Sequence, residues 1–216
     1  MAATFSDVDE AQKYFTGIEF LAKTDIVQGH PDGSYKPEDI LNRAEMLKII
    51  AEGAAKRFSW PENIFNKYKN KSCFKDIKVG QWYTKYVCYG KEKGWVVGYE
   101  NGKYFKPTQK VTFVEALKIT FKGFGASYDE SPDPWFLDLV NTASSQNFIP
   151  YDVTGFNNGL RRDQMADMIT RMIKFEEGAA ALSTYLGNRT DVVVTYESLE
   201  QGLDLSELKV ETKTVE

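Results

Sequence analysis

The chain nearly lacks the side chains on which nucleophilic and metal chemistry is usually built: its 216 residues contain one histidine, His30, and two cysteines, Cys73 and Cys88. His30 lies in His30-Pro31-Asp32-Gly33, an order that specifies a turn, and no Ser or Cys neighbour suggests a triad. No CxxC pair or histidine partner points to zinc. Asp32, Glu38 and Asp39 lack the alternating spacing of a calcium loop, and Lys36 interrupts them. These absences predict no metal, no cofactor and no turnover chemistry. The two cysteines belong to one stretch of chain and either form a disulfide or remain buried thiols, depending on the compartment.

Long apolar runs and strong basic clusters are missing as well. Nothing approaches the roughly 18 apolar residues that span a bilayer, so no membrane insertion is expected. Met1-Ala2-Ala3-Thr4 has neither the basic start nor the apolar stretch of a signal peptide, so export would need a leader that these residues do not form. The net charge is −4, but residues 176–216 hold nine acids against three bases. That segment carries −6, which leaves about +2 on the preceding 175 residues. The body is too weakly basic for nucleic acid, yet a few arginines could meet a moderately anionic ligand.

What the chain has, with 42% apolar and 27% charged residues, is an ordinary globular composition carrying a repeat. Phe5-Ser6-Asp7-Val8, Gly29, Tyr35-Lys36-Pro37 and Asn42-Arg43-Ala44-Glu45 return as Phe74-Lys75-Asp76-Ile77, Gly98, Phe105-Lys106-Pro107 and Thr112-Phe113-Val114-Glu115. Phe to Gly spans 24 positions in both copies, and Pro to Glu spans 8. A worn third copy begins at Tyr128-Asp129 and continues through Trp135-Phe136 to Arg161-Arg162-Asp163-Gln164. Such a unit cannot bury its own apolar face, so the copies must pack together and function is expected at their junctions.

Each unit reads as two helices. Tyr14, Phe15, Ile18, Leu21 and Ala22 predict the first, starting after Asp7 and ending near Thr24. Asn42 with Glu45, and Thr112 with Glu115, predict capping boxes at the second helices, whereas Arg161 cannot cap. Arg57 to Pro61 breaks a helix, and a short helix is expected within 62–71.

These landmarks resemble the S-layer homology repeat: Phe-x-Asp-Val, a Gly and Asp-Gly turn, Tyr/Phe-x-Pro, and a Thr-Arg-Ala-Glu helix start. The likeness covers units at 5–55, 74–122 and 128–173 and is most specific in the first two. It implies a mainly α domain over residues 1–175, closed into a pseudo-threefold, three-pronged spindle, with an acidic tail or linker at 176–216. It also implies a cell-surface protein, anchored non-covalently by an anionic, often pyruvylated, secondary cell-wall polysaccharide held in the grooves between prongs.

Carried over residue by residue, the family's arginine falls on Arg43 and Arg162, with Phe113 in the second unit, whose groove should bind poorly or not at all. Its aromatic falls on Trp82 and Trp135, each either a core anchor or a platform for a sugar; Lys13 beside Tyr14 stands there in the first unit. Asp7 and Asp76 serve helix capping or ligand contact. Gly29 and Gly98 serve the backbone or ligand approach, and Tyr151 occupies about that place in the third unit. Independently of the likeness, Arg43 in a first helical turn opposes the helix dipole by roughly 0.3–1 kcal/mol. An anion shared between its guanidinium and the free amides of that turn would offset this. The alternative is that Arg43 pairs with a neighbouring acid or reaches into water. Two rival functions follow from the same grooves: a scaffold binding envelope proteins, and a polysaccharide-cleaving enzyme, which would need two carboxylates about 5–9.5 Å apart.

Overall fold

In the computed structural model, which describes residues 3–208, the only regular elements among those residues are helices. They form pairs: α1 (Phe15–Lys23) with α2 (Arg43–Arg57), α3 (Thr84–Glu92) with α4 (Phe113–Phe124), and α5 (Leu137–Ser145) with α6 (Arg162–Glu177). The fold is mainly α, as expected. None of these helices is long and apolar enough to cross a membrane.

The second helices start where side chains fix them. Asn42 Oδ1 accepts the Glu45 amide at 3.0 Å and Glu45 Oε2 accepts the Asn42 amide at 2.9 Å; Thr112 and Glu115 repeat this at 3.4 and 3.1 Å. Arg161 has no acceptor to offer, so Asp163 Oδ1 takes the Gln164 amide at 2.7 Å while Gln164 Oε1 accepts the Arg161 amide. The first helices lack a side-chain cap, and α1 begins at Phe15 rather than just after Asp7.

The three pairs are tied together by backbone. Leu41 donates its amide to the Leu160 carbonyl (3.0 Å), Leu160 to Val111 (3.1 Å) and Val111 back to Leu41 (3.1 Å), a closed ring of buried residues. Beside it, the first amides of each second helix donate to another unit's loop. Arg43 and Ala44 donate to Gln109 and Pro107, Phe113 and Val114 to Asn158 and Phe156, and Arg162 and Asp163 to Asp39 and Pro37. Helix N-termini leave such amides unpaired, so each unit completes the helix of another. Side chains follow the same exchange: α1 packs on α6, α3 on α2, and α5 on α4, while α2 lies against both α4 and α6. Gly123 lets α2 and α4 close in, since a Cβ there would stand 2.5 Å from Ile50.

The opening Phe-x-Asp serves this closure rather than helix capping. Asp7 accepts the amides of Tyr35 (2.7 Å) and Lys36 (2.8 Å), and Asp76 those of Phe105 (2.9 Å) and Lys106 (2.6 Å). Each carboxylate thereby holds a turn whose lysine has positive φ, 58° at Lys36 and 59° at Lys106. Burial pushes the Asp7 carboxyl up, and its amide bonds outweigh this and lower it. In the third unit the Asp129 carboxylate accepts from its own turn, at Ser131.

Residues 58–72 form a wall beside α3, with a single 3-10 turn at Asn66–Tyr68 where a helix was expected. Phe65 and Tyr68 are buried against Tyr89. The cysteines are paired: Cys73 and Cys88 form a disulfide with Cα atoms 5.4 Å apart. Closing its 15-residue separation removes about 3 kcal/mol of unfolded-state freedom in the chain-entropy account.

The stretch after residue 176 is not a free linker. It forms α7 (Ala179–Leu186) and α8 (Tyr196–Glu200) and folds back on the third unit as far as residue 208. Tyr185 donates its hydroxyl to Asp167 Oδ1 at 2.6 Å, Leu205 donates its amide to the Tyr151 carbonyl, and the Tyr196 ring packs tilted against Phe156, centroids 4.7 Å apart. Beneath Tyr185, Asp167 and Arg171 form a buried pair at 2.7 Å. Arg171 Nη1 also donates to the carbonyls of Asn147 and Ile149 and to the Asn147 side chain. Residues 209–216 of the expected tail lie outside the described residues.

Two predictions follow from this packing. At Gly98 φ is +79° and a Cβ would lie 2.5 Å from the Phe74 ring, so Gly98→Ala should cost about 2–4 kcal/mol in urea unfolding. Gly80→Ala, with φ +80° but open space, should cost about 1 kcal/mol. Replacing Arg171 by Leu strands the Asp167 charge and should cost about 3–5 kcal/mol at pH 7. Burial already raises the Asp167 carboxyl against the pull of Arg171. Without Arg171 the folded state holds the proton still more firmly than the unfolded state, so stability falls as pH rises above about 4. The deficit should therefore be smaller at pH 4 than at pH 7 in unfolding curves taken at both.

Candidate functional site: the junctions between units

A cleft of about 270 Å3 opens where the first unit's loop and α2 meet the start of the second unit and α6. Gln28, His30, Glu45, Lys48, Trp82 and Arg162 line it. Two of the arginine and tryptophan positions carried over from the family resemblance, Arg162 and Trp82, thus meet in one place. Trp82 is 52% exposed and is no core anchor. Arg162 is 8% exposed; its Nε donates to the Tyr35 carbonyl at 2.8 Å and its guanidinium carbon lies 4.6 Å from the Tyr35 ring centre. Among the described residues no carboxylate pairs with it.

Cations outnumber acids in the lining of this cleft, Arg162 and Lys48 against Glu45. Glu45 Oε2 is engaged by the cap of α2, and Lys48 reaches only Gln28 Oε1, at 3.4 Å. Burial holds the Lys48 ammonium below the usual lysine range; Glu52 opposes this, while Arg162 and Lys85 add to it. His30 Nε2 is buried without a partner among the described residues.

The second junction has the same parts in a tighter arrangement. Arg43 donates Nε to the Phe105 carbonyl at 2.9 Å, and its guanidinium carbon lies 4.8 Å from both the Phe105 and Tyr99 ring centres. Tyr99 donates its hydroxyl to Glu115 at 3.1 Å, and Lys118, one turn along α4, stands 4.6 Å from the Trp135 ring centre. Trp135 is 37% exposed. Arg43 too has no carboxylate partner among the described residues, but it does not reach freely into water, being 5% exposed. One expectation is corrected here. The amides of Arg43 and Ala44 are taken by the second unit's loop and that of Glu45 by Asn42, so they cannot join the guanidinium in holding an anion.

The third junction is closed by its own charges. Phe113, 1% exposed, fills the arginine position. Asp152 receives Tyr14 Oη at 2.5 Å, Arg161 Nη2 at 2.6 Å, Gln164 Nε2 at 3.0 Å and Lys13 Nζ at 3.3 Å. Burial pushes the Asp152 carboxyl up, yet these donors, Arg161 first, bring it down to about 2. Asp163 shares the same guanidinium but is more deeply desolvated and faces Glu38, and it is pushed up to about 6.

The remaining expected site residues do not reach a ligand position. Both oxygens of Asp7 and of Asp76 are committed to turns. The space a side chain would need at Gly29 and Gly98 is filled by the rings of Phe5 and Phe74. Gly29 has no positive φ, so close packing accounts for it. Lys48 and Lys118 were not foreseen, although each follows its capping glutamate by one turn, where the third unit has Asp167 after Gln164.

Comparison with known proteins agrees with two of the three units. The family model of the S-layer homology domain matches residues 4–47 and 74–117. The cellulosome-anchoring protein of Acetivibrio thermocellus is 32% identical over 97 residues, 45% of this chain and 20% of that protein. The cell surface protein of Thermoanaerobacter kivui is 21% identical over 198 residues, 89% of this chain and 25% of that protein. The middle cell wall protein of Brevibacillus brevis is 22% identical over 160 residues, 74% of this chain and 14% of that protein. The chain spans a quarter or less of these relatives, and it carries two stretches that match the S-layer homology domain.

Proposed function

We propose that the chain is a non-catalytic anchoring module of the cell surface, holding an anionic cell-wall polysaccharide at two of its three junctions. The observation that carries this reading is the pair of buried arginines, Arg162 in one cleft with the exposed Trp82 and Arg43 against Tyr99 and Phe105, neither neutralised by a carboxylate among the described residues. A buried unpaired cation is unfavourable unless a ligand supplies the counter-charge. A carboxylate or phosphate on a sugar would take the free guanidinium edge, and the indole would cover an apolar sugar face. The cleft of about 270 Å3 at Arg162 is near the lower end, about 300 Å3, of ordinary ligand pockets and suits a single sugar residue. The three-pronged, pseudo-threefold arrangement belongs to this proposal, and the ring of Leu41, Val111 and Leu160 supports it. The names of the similar anchoring and wall proteins point the same way.

A scaffold function has one observation in its favour: the third junction is occupied by protein, with Tyr185 and Arg189 laid over it. Purified wall polymer and envelope proteins, each offered in a pull-down, separate the two readings.

Sedimentation with protein-free cell walls tests the first. Arg162→Gln and Arg43→Gln should each weaken binding about 10- to 100-fold, as loss of a charge-assisted bond does, and the double variant should stay in solution. Equal sedimentation of all three with the wild type would defeat the proposal. Rising salt should weaken binding. Because protonated Lys48 attracts the anion, affinity should be level at lower pH and fall as pH rises through its depressed pKa. Titrating affinity against pH should show that step in the wild type and not in Lys48→Gln.

A further inference from the structure

Trp82 and Lys48 line not one cleft but two. Beyond the cleft at Arg162 they border a second, of about 390 Å3, whose other walls include Asn66, Lys69, Asn70 and Lys85. The two clefts therefore adjoin at Trp82 and Lys48. Among the described residues lining the second cleft there is no Asp or Glu. The side chains of Asn66, Lys69 and Asn70 have no hydrogen-bond or ion-pair partner among the described residues, and Lys85 only overlies the Tyr86 ring at 4.7 Å.

The wall carrying Asn66, Lys69 and Asn70 comes from residues 58–72, which have no counterpart between the second and third units, where α4 ends at Phe124 and Tyr128 follows closely. It is held firmly in place. Tyr68 donates to Glu92 at 2.6 Å, Lys71 pairs with the same carboxylate at 3.0 Å, the Lys69 carbonyl accepts the Gly80 amide at 3.2 Å, and the Cys73–Cys88 disulfide joins the wall's exit to α3. Free amides and ammonium groups on a rigid wall beside an exposed indole are the donor set for a sugar bearing a negative charge.

We propose that this second cleft is a subsite for the next anionic residue of the same polysaccharide strand. Trp82 is the shared platform, Lys69 and Lys85 meet the second negative group, and Asn66 and Asn70 bond sugar hydroxyls. The proposal rests on reading the Arg162 cleft as a sugar-anion site. A strand engaged at the first cleft presents its next residue at high local concentration, so even a weak second site lengthens its stay. It also gives the first junction a preference for polymer over single sugars, which the second junction, lacking this wall, does not share.

The test uses the full chain and polysaccharide released from isolated walls of Acetivibrio thermocellus, partly hydrolysed and sized into fragments with one negative charge and with two or more. Calorimetric titration should show the wild type binding the longer fragments about tenfold more tightly than the shorter ones. In Lys69→Gln/Lys85→Gln that advantage should vanish while affinity for one-charge fragments is kept, and Lys69→Arg/Lys85→Arg should restore it. Arg162→Gln should weaken fragments of both sizes. Equal affinity of the wild type for both sizes, or an unchanged advantage in the double glutamine variant, overturns the subsite while leaving the Arg162 cleft intact. Wild-type protein that takes up neither size overturns both.

Discussion

Everything in the molecule depends on the exchange of backbone hydrogen bonds where the second helices begin. Leu41, Val111 and Leu160 sit on one another's carbonyls, and the first amides of α2, α4 and α6 are completed by loops of other units. A helix end left unsatisfied in a buried place would cost about 1–3 kcal/mol per amide, so none of the three second helices is stable in isolation at this position. The same exchange sends the residue that follows each cap, Arg43, Phe113 or Arg162, into a neighbour's territory. That is why the arginines stand at junctions and not on their own unit's surface: Arg162 bonds Tyr35 of the first unit, and Arg43 bonds Phe105 of the second.

With the backbone held alike at all three places, side-chain charge decides what each junction does. At the first, Arg162 and Lys48 face one glutamate already engaged in a cap. At the third, Lys13 and Arg161 are matched by Asp152 and Asp163, and Arg171 by Asp167. Lys13, Arg161 and Arg171 are consumed internally at the third junction, and Arg189, which overlies it, is turned to the Leu205 and Ser206 carbonyls. The second lies between them, with its arginine enclosed by two rings and its lysine drawn to Glu130.

Much of this was legible in the sequence because it rests on local chemistry. The capping boxes at Asn42 and Thr112, the break at Pro61, and the packing of the copies on one another follow from residue type and spacing. The roles of Asp7 and Asp76 were not legible, since their partners are amides of Tyr35 and Phe105, nearly thirty positions away, whose availability is a property of the folded turn. The occupied amides at Arg43 escaped for the same reason. The Ala179–Leu186 helix was missed because its short, alanine-rich sequence carries little apolar stripe, with Leu182 alone buried along it; its docking is decided by Tyr185 finding a buried aspartate.

The extension and the wall at 58–72 lie outside the repeat, and they act in opposite directions on equivalent places. At the third junction an added segment covers the opening and brings Tyr185 and Arg189 onto Tyr151 and Asp167. At the first, an added segment stands to one side and enlarges the opening with uncommitted donors. A repeat that brings its units together through equivalent backbone bonds therefore need not yield three similar sites. Each opening's fate is set by whether the neighbouring insertion covers it, as Tyr185 and Arg189 do at the third junction, or leaves it open with further cations, as Lys69 does at the first.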